Sequence, residues 1–292
     1  MNPRPRLCLL ENVPGLRDKD KETGRSSFDA VQDAFAEMGF SFVWRIFNAA
    51  ATGVPNSRTR WYMAAIAGLP AEDSDALTHR VHGLLTSMLD GVAQRPLSKF
   101  LLDEYMPQGY TLEDMMKDWM PHLLQRTEKS PTNKTIQKST KSKKSKKGKT
   151  WVDSPHAADK GRYLAHLDRN PWFQCLTLRE KDVLLLELCH HPFPGPQTGV
   201  VTVHTSATFS RCTIGALPCQ VPNAMFWLLG YSRLQTGAEA LMLQGVDLVD
   251  IPSFGVGSHP SRFLQDLAGN AFCVYQFVVW LLACLPQVSD AA

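Results

Sequence analysis

The chain has 292 residues, 44% of them hydrophobic and 20% charged, which is ordinary for a globular protein and enough to bury a full core. Its formal net charge of +3 is local: nine lysines and no acid lie between Lys129 and Lys149, and without them 22 basic residues face 28 acidic ones, a net of −6. That balance excludes a fold that is basic throughout. The seven cysteines are odd in number, irregularly spaced and free of any C-x-x-C pair. They argue against a disulfide framework or a zinc knuckle and for a reducing compartment. Cys189-His190-His191 reads as no metal site, because adjacent residues rarely converge on one ion, so no metal is expected. The start, Met1 to Arg6, is polar and proline-rich and reads as no secretory signal. The apolar run Phe272 to Leu285 is shorter than the roughly 20 residues a bilayer needs, and Gln276 interrupts it. It reads as a buried terminal helix, and no membrane partner is expected.

In chain order, the apolar run Leu7 to Leu10 ends in Glu11-Asn12-Val13-Pro14. This pattern reads as a buried parallel strand delivering an acid at its carboxyl end, where open α/β sheets bind ligands, or, more plainly, as an edge strand running into a loop. A charged loop, Gly15 to Arg25, follows. Ser26 and Asp29 fit a capping box, Phe28, Val31, Phe35 and Met38 share one helical face, and Gly39 closes the helix. Phe40 to Phe47 and Trp61 to Ile66 read as strands joined by a small-residue turn, Asn48 to Pro55, close enough to pair antiparallel. Helices are expected over Leu77 to Val92 and Leu112 to Leu124. The lysine run cannot pack a core and reads as disordered, either a solvated linker or a phosphate-binding arm and nuclear address. Beyond it, Leu178 to Cys189 reads as a helix, Gly199 to Phe209 as β-prone and Ala224 to Leu229 as a short strand. Thr236 to Gly245 and Gly269 to Leu285 read as helices, the latter as the final buried one.

Four stretches in order carry a resemblance. Leu10-Glu11-Asn12-Val13 looks like a Glu-Asn-Val motif, and Gly53 to Arg60 looks like V-P-Q-x-R-x-R with Asn56 where Gln is usual. Arg233-Leu234-Gln235-Thr236 through Glu239 to Leu243-Gln244-Gly245 looks like R-x-L-T-x-x-E-x-x-x-L-Q-G, and Ala268-Gly269-Asn270-Ala271 holds a closing G-N-A. Together they resemble the C-terminal part of a DNA (cytosine-5)-methyltransferase, over roughly residues 6–68 and 197–286. The resemblance implies part of a Rossmann-like α/β sheet that uses S-adenosylmethionine, with a variable target-recognition region and a lysine-rich disordered insert. The expected division is residues 1–69 as half of the catalytic sheet, 70–196 as the variable region with a disordered segment over 127–150, and 197–292 as the end of that region with the closing helices.

In that family the cytosine is flipped out of the duplex and a cysteine thiolate adds to C6 before C5 takes the methyl group. By the resemblance, Glu11 holds the pyrimidine N3 edge, and Arg60 with Arg58 holds the base carbonyl and adjacent backbone. Asn270 and Ala271 face the cofactor, DNA is the partner, and the location is the nucleus. The family's F-x-G-x-G turn and Pro-Cys loop belong upstream of Glu11, where this chain has no room for them. Two lookalikes stand elsewhere. Pro218-Cys219-Gln220 spells the nucleophile loop without a glycine-rich strand before it, and Phe254-Gly255-Val256-Gly257 imitates the cofactor turn without a strand or helix beside it. The expectation is a chain that binds S-adenosylmethionine weakly or not at all and transfers no methyl group by itself. It would be one subunit completed by a second chain, a non-catalytic DNA-binding or regulatory homologue, or the product of a truncated gene.

Overall fold

The computed structural model describes residues 5–68, 74–102, 157–191, 199–207, 209–246 and 261–290. The candidate helix over 112–124, the lysine run and the Phe254–Gly257 turn lie outside the described residues. The elements are β1 (Leu7–Asn12), α1 (Ser27–Glu37), β2 (Phe40–Asn48), β3 (Asn56–Ser57), β4 (Thr59–Ala67), α2 (Ser74–Leu89), α3 (Lys160–Leu167), α4 (Pro171–Gln174) and α5 (Leu178–His190). They continue with β5 (Gly199–Thr202), β6 (Cys212–Ile214), β7 (Leu217–Pro218), β8 (Phe226–Leu228), β9 (Arg233–Leu234), α6 (Gly237–Met242), α7 (Ser261–Asn270) and α8 (Val274–Asp290). The chain divides into two compact units, residues 1–95 with 272–292, and residues 96–271.

In the first unit, a three-stranded sheet has the order β1-β4-β2. The strand–helix–strand–turn–strand order matches the sequence reading, and so does the antiparallel pairing of β2 with β4. Of the two readings of Leu7–Asn12, the buried parallel strand is corrected and the edge strand holds. Among the described residues β1 pairs with β4 alone, antiparallel, and all six of its residues are half-buried. The run is apolar on both sides for a different reason: Leu7 and Leu9 pack against one hydrophobic cluster, Cys8 and Leu10 against the other. An edge strand with both faces covered spells the same sequence as a central one.

Helix α1 starts at the expected capping box. Ser26 Oγ accepts from Asp29 N at 3.2 Å, and Asp29 Oδ2 accepts from Ser26 N at 2.9 Å. Its Phe28 is buried against Phe42, Trp44 and Trp61, and the Arg17 guanidinium lies over the rings of Phe28, Trp44 and Trp61. Between β2 and β4 the chain turns at Gly53, whose φ of +83° and 3.0 Å clearance from Ala93 O leave no room for a side chain.

The last helix also differs from expectation. Gly269 and Asn270 end α7, and α8 begins at Val274. Gly269 serves close packing rather than helix initiation, since a Cβ there would lie 2.4 Å from Pro222 N. Nor is α8 buried all round: Gln276, Trp280, Ala283 and Cys284 face the core, while Tyr275, Val278, Leu282 and Leu285 are exposed. By length and composition the run Ser261–Val288 is long and apolar enough to cross a bilayer. It is divided at residues 271–273, however, and Trp280 and Cys284 join the core cluster of Tyr62, Ala64 and Ile66.

The second unit carries a four-stranded antiparallel sheet, β6-β5-β8-β9. Its core gathers Tyr163, Trp172, Phe173, Leu184, Leu188 and Trp227. Helix α5 falls where the sequence places it, opened by a Thr177–Glu180 capping box. The β-prone stretch from Gly199 yields strand only to Thr202, and the strand expected from Ala224 is Phe226–Leu228. Helix α6 lies within the span expected from Thr236 and carries a buried ion pair. Arg233 donates to Glu239 at 2.6 and 3.0 Å, and Glu239 also accepts from Thr236 N at 2.7 Å and Leu102 N at 3.0 Å. Both side chains are buried, so removing one partner strands the other's charge away from water. Arg233→Ala should therefore cost the second unit about 3–5 kcal/mol in urea denaturation. Arg25→Ala, which breaks the exposed pair with Asp33, should cost under about 1 kcal/mol.

Candidate functional site

Strand periodicity assembles the candidate site. Glu11 lies opposite Tyr62 in the β1–β4 register, so the two side chains leave the same face of the sheet. Arg60 stands two residues before Tyr62 and Arg58 two before that, which carries both guanidinium groups toward that face. Glu11 Oε1 lies 3.1 Å from Arg60 Nε and 3.6 Å from Arg58 Nη2. The three residues singled out from the sequence are thus brought together. They are also more enclosed than a surface arginine pair, with Arg58 2% exposed and Arg60 7%, while the Glu11 side chain keeps 20% of its surface open. The contacts to Glu11 Oε1 are charge–charge contacts rather than aligned hydrogen bonds.

Two residues that sequence reasoning did not assign to the site complete it. Burial pushes the Tyr62 phenol far above its usual range; the neighbouring Cys273 and Glu11 add to the effect, and Arg58 and Arg60 oppose it. Its hydroxyl lies 3.5 Å from Gln276 Oε1, and Gln276 Nε2 donates to Phe47 O at 3.0 Å and reaches Arg58 O at 3.5 Å. The available signal was the amide itself: a glutamine inside the apolar run Phe272 to Leu285 must find partners when buried.

Asn270 is exposed at the carboxyl end of α7, not at the start of the last helix, and the Ala271 N–H is taken by Leu267 O at 2.8 Å. The Asn270 side chain is open to solvent, and the Ala271 N–H is spent inside the helix end. The two residues therefore do not by themselves fit S-adenosylmethionine. Arg233 and Glu239 of the third motif are bound to each other, so their role is to hold α6 in place.

The thiols sort by environment. Burial pushes Cys273 above its usual range, against the backbone N–H groups of Gln276 and Tyr275 that bond its sulfur, and burial takes Cys284 to about 12. Cys219 lies in the second unit, half-buried, with its thiol 3.6 Å from Gln220 O.

A mixed α/β unit whose edge strand ends in a carboxylate faced by two arginines agrees with what sequence comparison finds. The sequence model of the family described as C-5 cytosine-specific DNA methylase matches residues 2–209, and the chain belongs to that family. The matched span holds Glu11, Arg58 and Arg60 and ends before Arg233 and Asn270. A crystal structure of S. pombe Dnmt2 methyltransferase is similar with a TM-score of 0.40 and 12% identity, over 98% of this chain and 69% of that one. No curated protein sequence matches the chain.

Thiolate is the alkylating form of cysteine, and a raised pKa keeps the thiol protonated to higher pH. Native Cys284 should therefore react with iodoacetamide only as the pH approaches about 12. At pH 8 mass spectrometry should find Cys273 and Cys284 unmodified in the folded chain and all seven cysteines modified in urea. Modification of native Cys273 at the rate of a free thiol would contradict this assignment.

Proposed function

We propose that the first unit is the base-holding half of a cytosine-5 methyltransferase site acting on DNA. The observation that carries this reading is the convergence of Glu11 with Arg60 and Arg58 at 3.1 and 3.6 Å at the end of β1. A flipped cytosine presents ring nitrogen N3 and the exocyclic amine on one edge and a carbonyl oxygen beside them. The open side of the Glu11 carboxylate faces the N3 edge and shares a proton with it. Proton sharing withdraws electron density from the ring and makes C6 more open to a thiolate. Arg60 and Arg58 balance the carboxylate's charge and supply N–H donors toward the carbonyl and the adjacent backbone.

The family's methyl donor is S-adenosylmethionine. On this reading the isolated chain holds it weakly or not at all, with Asn270 and Ala271 contributing only the edge of a larger pocket. On the same reading the isolated chain transfers no methyl group by itself. The attacking thiolate comes from a second chain that carries a Pro-Cys loop. The lysine run serves as a phosphate-binding arm and a nuclear address. That run also favours a second reading, a non-catalytic DNA-binding regulator, in which the same Glu11 site holds a base without reaction.

Co-expression with a chain bearing the F-x-G-x-G turn and the Pro-Cys loop, followed by transfer of a labelled methyl group to cytosine-containing DNA, decides between the readings. The half-site reading expects activity from the pair and none from either chain alone, with Glu11→Gln lowering it by about 10²–10⁴-fold. Activity of the isolated chain would overturn the division of labour, and a pair with no gain would overturn the half-site. RNA in place of DNA serves as the parallel substrate arm.

A further inference from the structure

We infer that Gln276 is a positioning residue for the Glu11–Arg58–Arg60 constellation: its amide ties the backbone of the arginine segment to helix α8 and so fixes how far Arg58 stands from Glu11. The inference rests on the functional reading of Glu11 for its significance and on geometry alone for its substance.

Gln276 is 0% exposed in the first turn of a helix whose other core-facing residues are apolar except for Gln287 near its end. Burying an amide costs free energy unless both its ends are bonded, and a Met of similar volume would fill the same space without that demand. Here both ends are engaged. Nε2 reaches Phe47 O at 3.0 Å and Arg58 O at 3.5 Å, and Oε1 stands 3.5 Å from the Tyr62 hydroxyl. The two carbonyls lie on separate segments: Phe47 is near the end of β2, and Arg58 lies between β3 and β4. One side chain thus bridges the two legs of the turn that presents the arginines.

The same turn is braced from within. Ala49 N donates to Arg58 O at 2.9 Å, and Asn48 Nδ2 donates to Thr59 Oγ1 at 2.9 Å. These bonds hold the turn's shape, whereas Gln276 anchors it to the helix. Cys273, one turn earlier, caps α8 with its sulfur beneath the N–H groups of Tyr275 and Gln276, so the anchor is itself fixed. The Arg58–Glu11 contact, at 3.6 Å, is the longer of the two and the first to be lost if the carbonyl of Arg58 drifts.

The test reads the arginines directly and needs no substrate. The side-chain Nε–H signals of Arg58 and Arg60 are followed by NMR in the full chain, in Gln276→Met, in Gln276→Glu and in Leu85→Ala. Leu85→Ala weakens the core of the same unit at α2 without removing a hydrogen bond to the turn. Gln276→Met should keep the fold by circular dichroism yet raise hydrogen exchange at Arg58 by about tenfold, with a smaller change at Arg60. Gln276→Glu keeps the acceptor for Tyr62 but loses the donor to the two carbonyls, so it should behave like Gln276→Met. Leu85→Ala should lower the melting temperature and leave both arginine signals in place. Unchanged Arg58 exchange in both folded Gln276 variants would overturn the inference, as would an equal change in Leu85→Ala. A released Arg58 with unaltered cytosine binding would instead count against the functional reading and leave the positioning role standing.

Discussion

The simultaneous pairing of β4 with β1 and with β2 sets the distances of the candidate site. Tyr62 faces Glu11 on one side and Arg45 on the other, and Arg60 faces Phe47. Side chains alternate along a strand, so a slip of one residue would send Arg58, Arg60 and Tyr62 to the opposite face and leave Glu11 alone. The register is well defended. Tyr62, Ala64 and Ile66 join one buried cluster, while Trp61, Met63 and Ala65 join the other. Neither face of β4 can turn outward without exposing a full hydrophobic layer, so the apolar core pays for the precision with which three charged groups meet at its rim.

Much of the first unit is legible in the sequence. Short-range chemistry fixes it: the Ser26–Asp29 box opens α1, Gly39 closes it, and the alternation of Phe40–Phe47 and Trp61–Ile66 fixes β2 and β4. What is not legible depends on partners distant in sequence. Leu7–Leu10 reads the same whether the strand is central or at an edge with both faces covered. Residues 269–285 read as one helix because nothing local reports that Gly269 is needed for contact with Val221 and Pro222. In the site, residue identities were visible and their burial was not. Arg58 and Arg60 look like an exposed pair until β1 places a carboxylate beside them.

Buried polar groups divide along the same line. Arg233 bonds both oxygens of Glu239, which also accept from the backbone N–H groups of Thr236 and Leu102, so this pair specifies a local structure. Glu11 leaves part of its carboxylate open and makes charge contacts without aligned hydrogen bonds on Oε1. A carboxylate with both oxygens bonded, as in Glu239, has no reason to bind anything further, whereas an incompletely bonded carboxylate beside two guanidinium groups retains capacity for a polar planar ligand. That contrast separates the first arginine motif, read as functional, from the third, which is structural.

The most direct test of this account is a binding comparison that needs no methyl transfer. Fluorescence titration would compare duplexes carrying either a cytosine or a uracil opposite an abasic site, where the base flips at little cost. Uracil carries a proton on N3 and a carbonyl where cytosine carries its amine, so the carboxylate of Glu11 should distinguish them. The account predicts tighter binding of the cytosine duplex by about tenfold or more, and loss of that preference in Glu11→Ala. Equal affinities for the two duplexes in the unaltered chain, or a preference that survives Glu11→Ala, would contradict it.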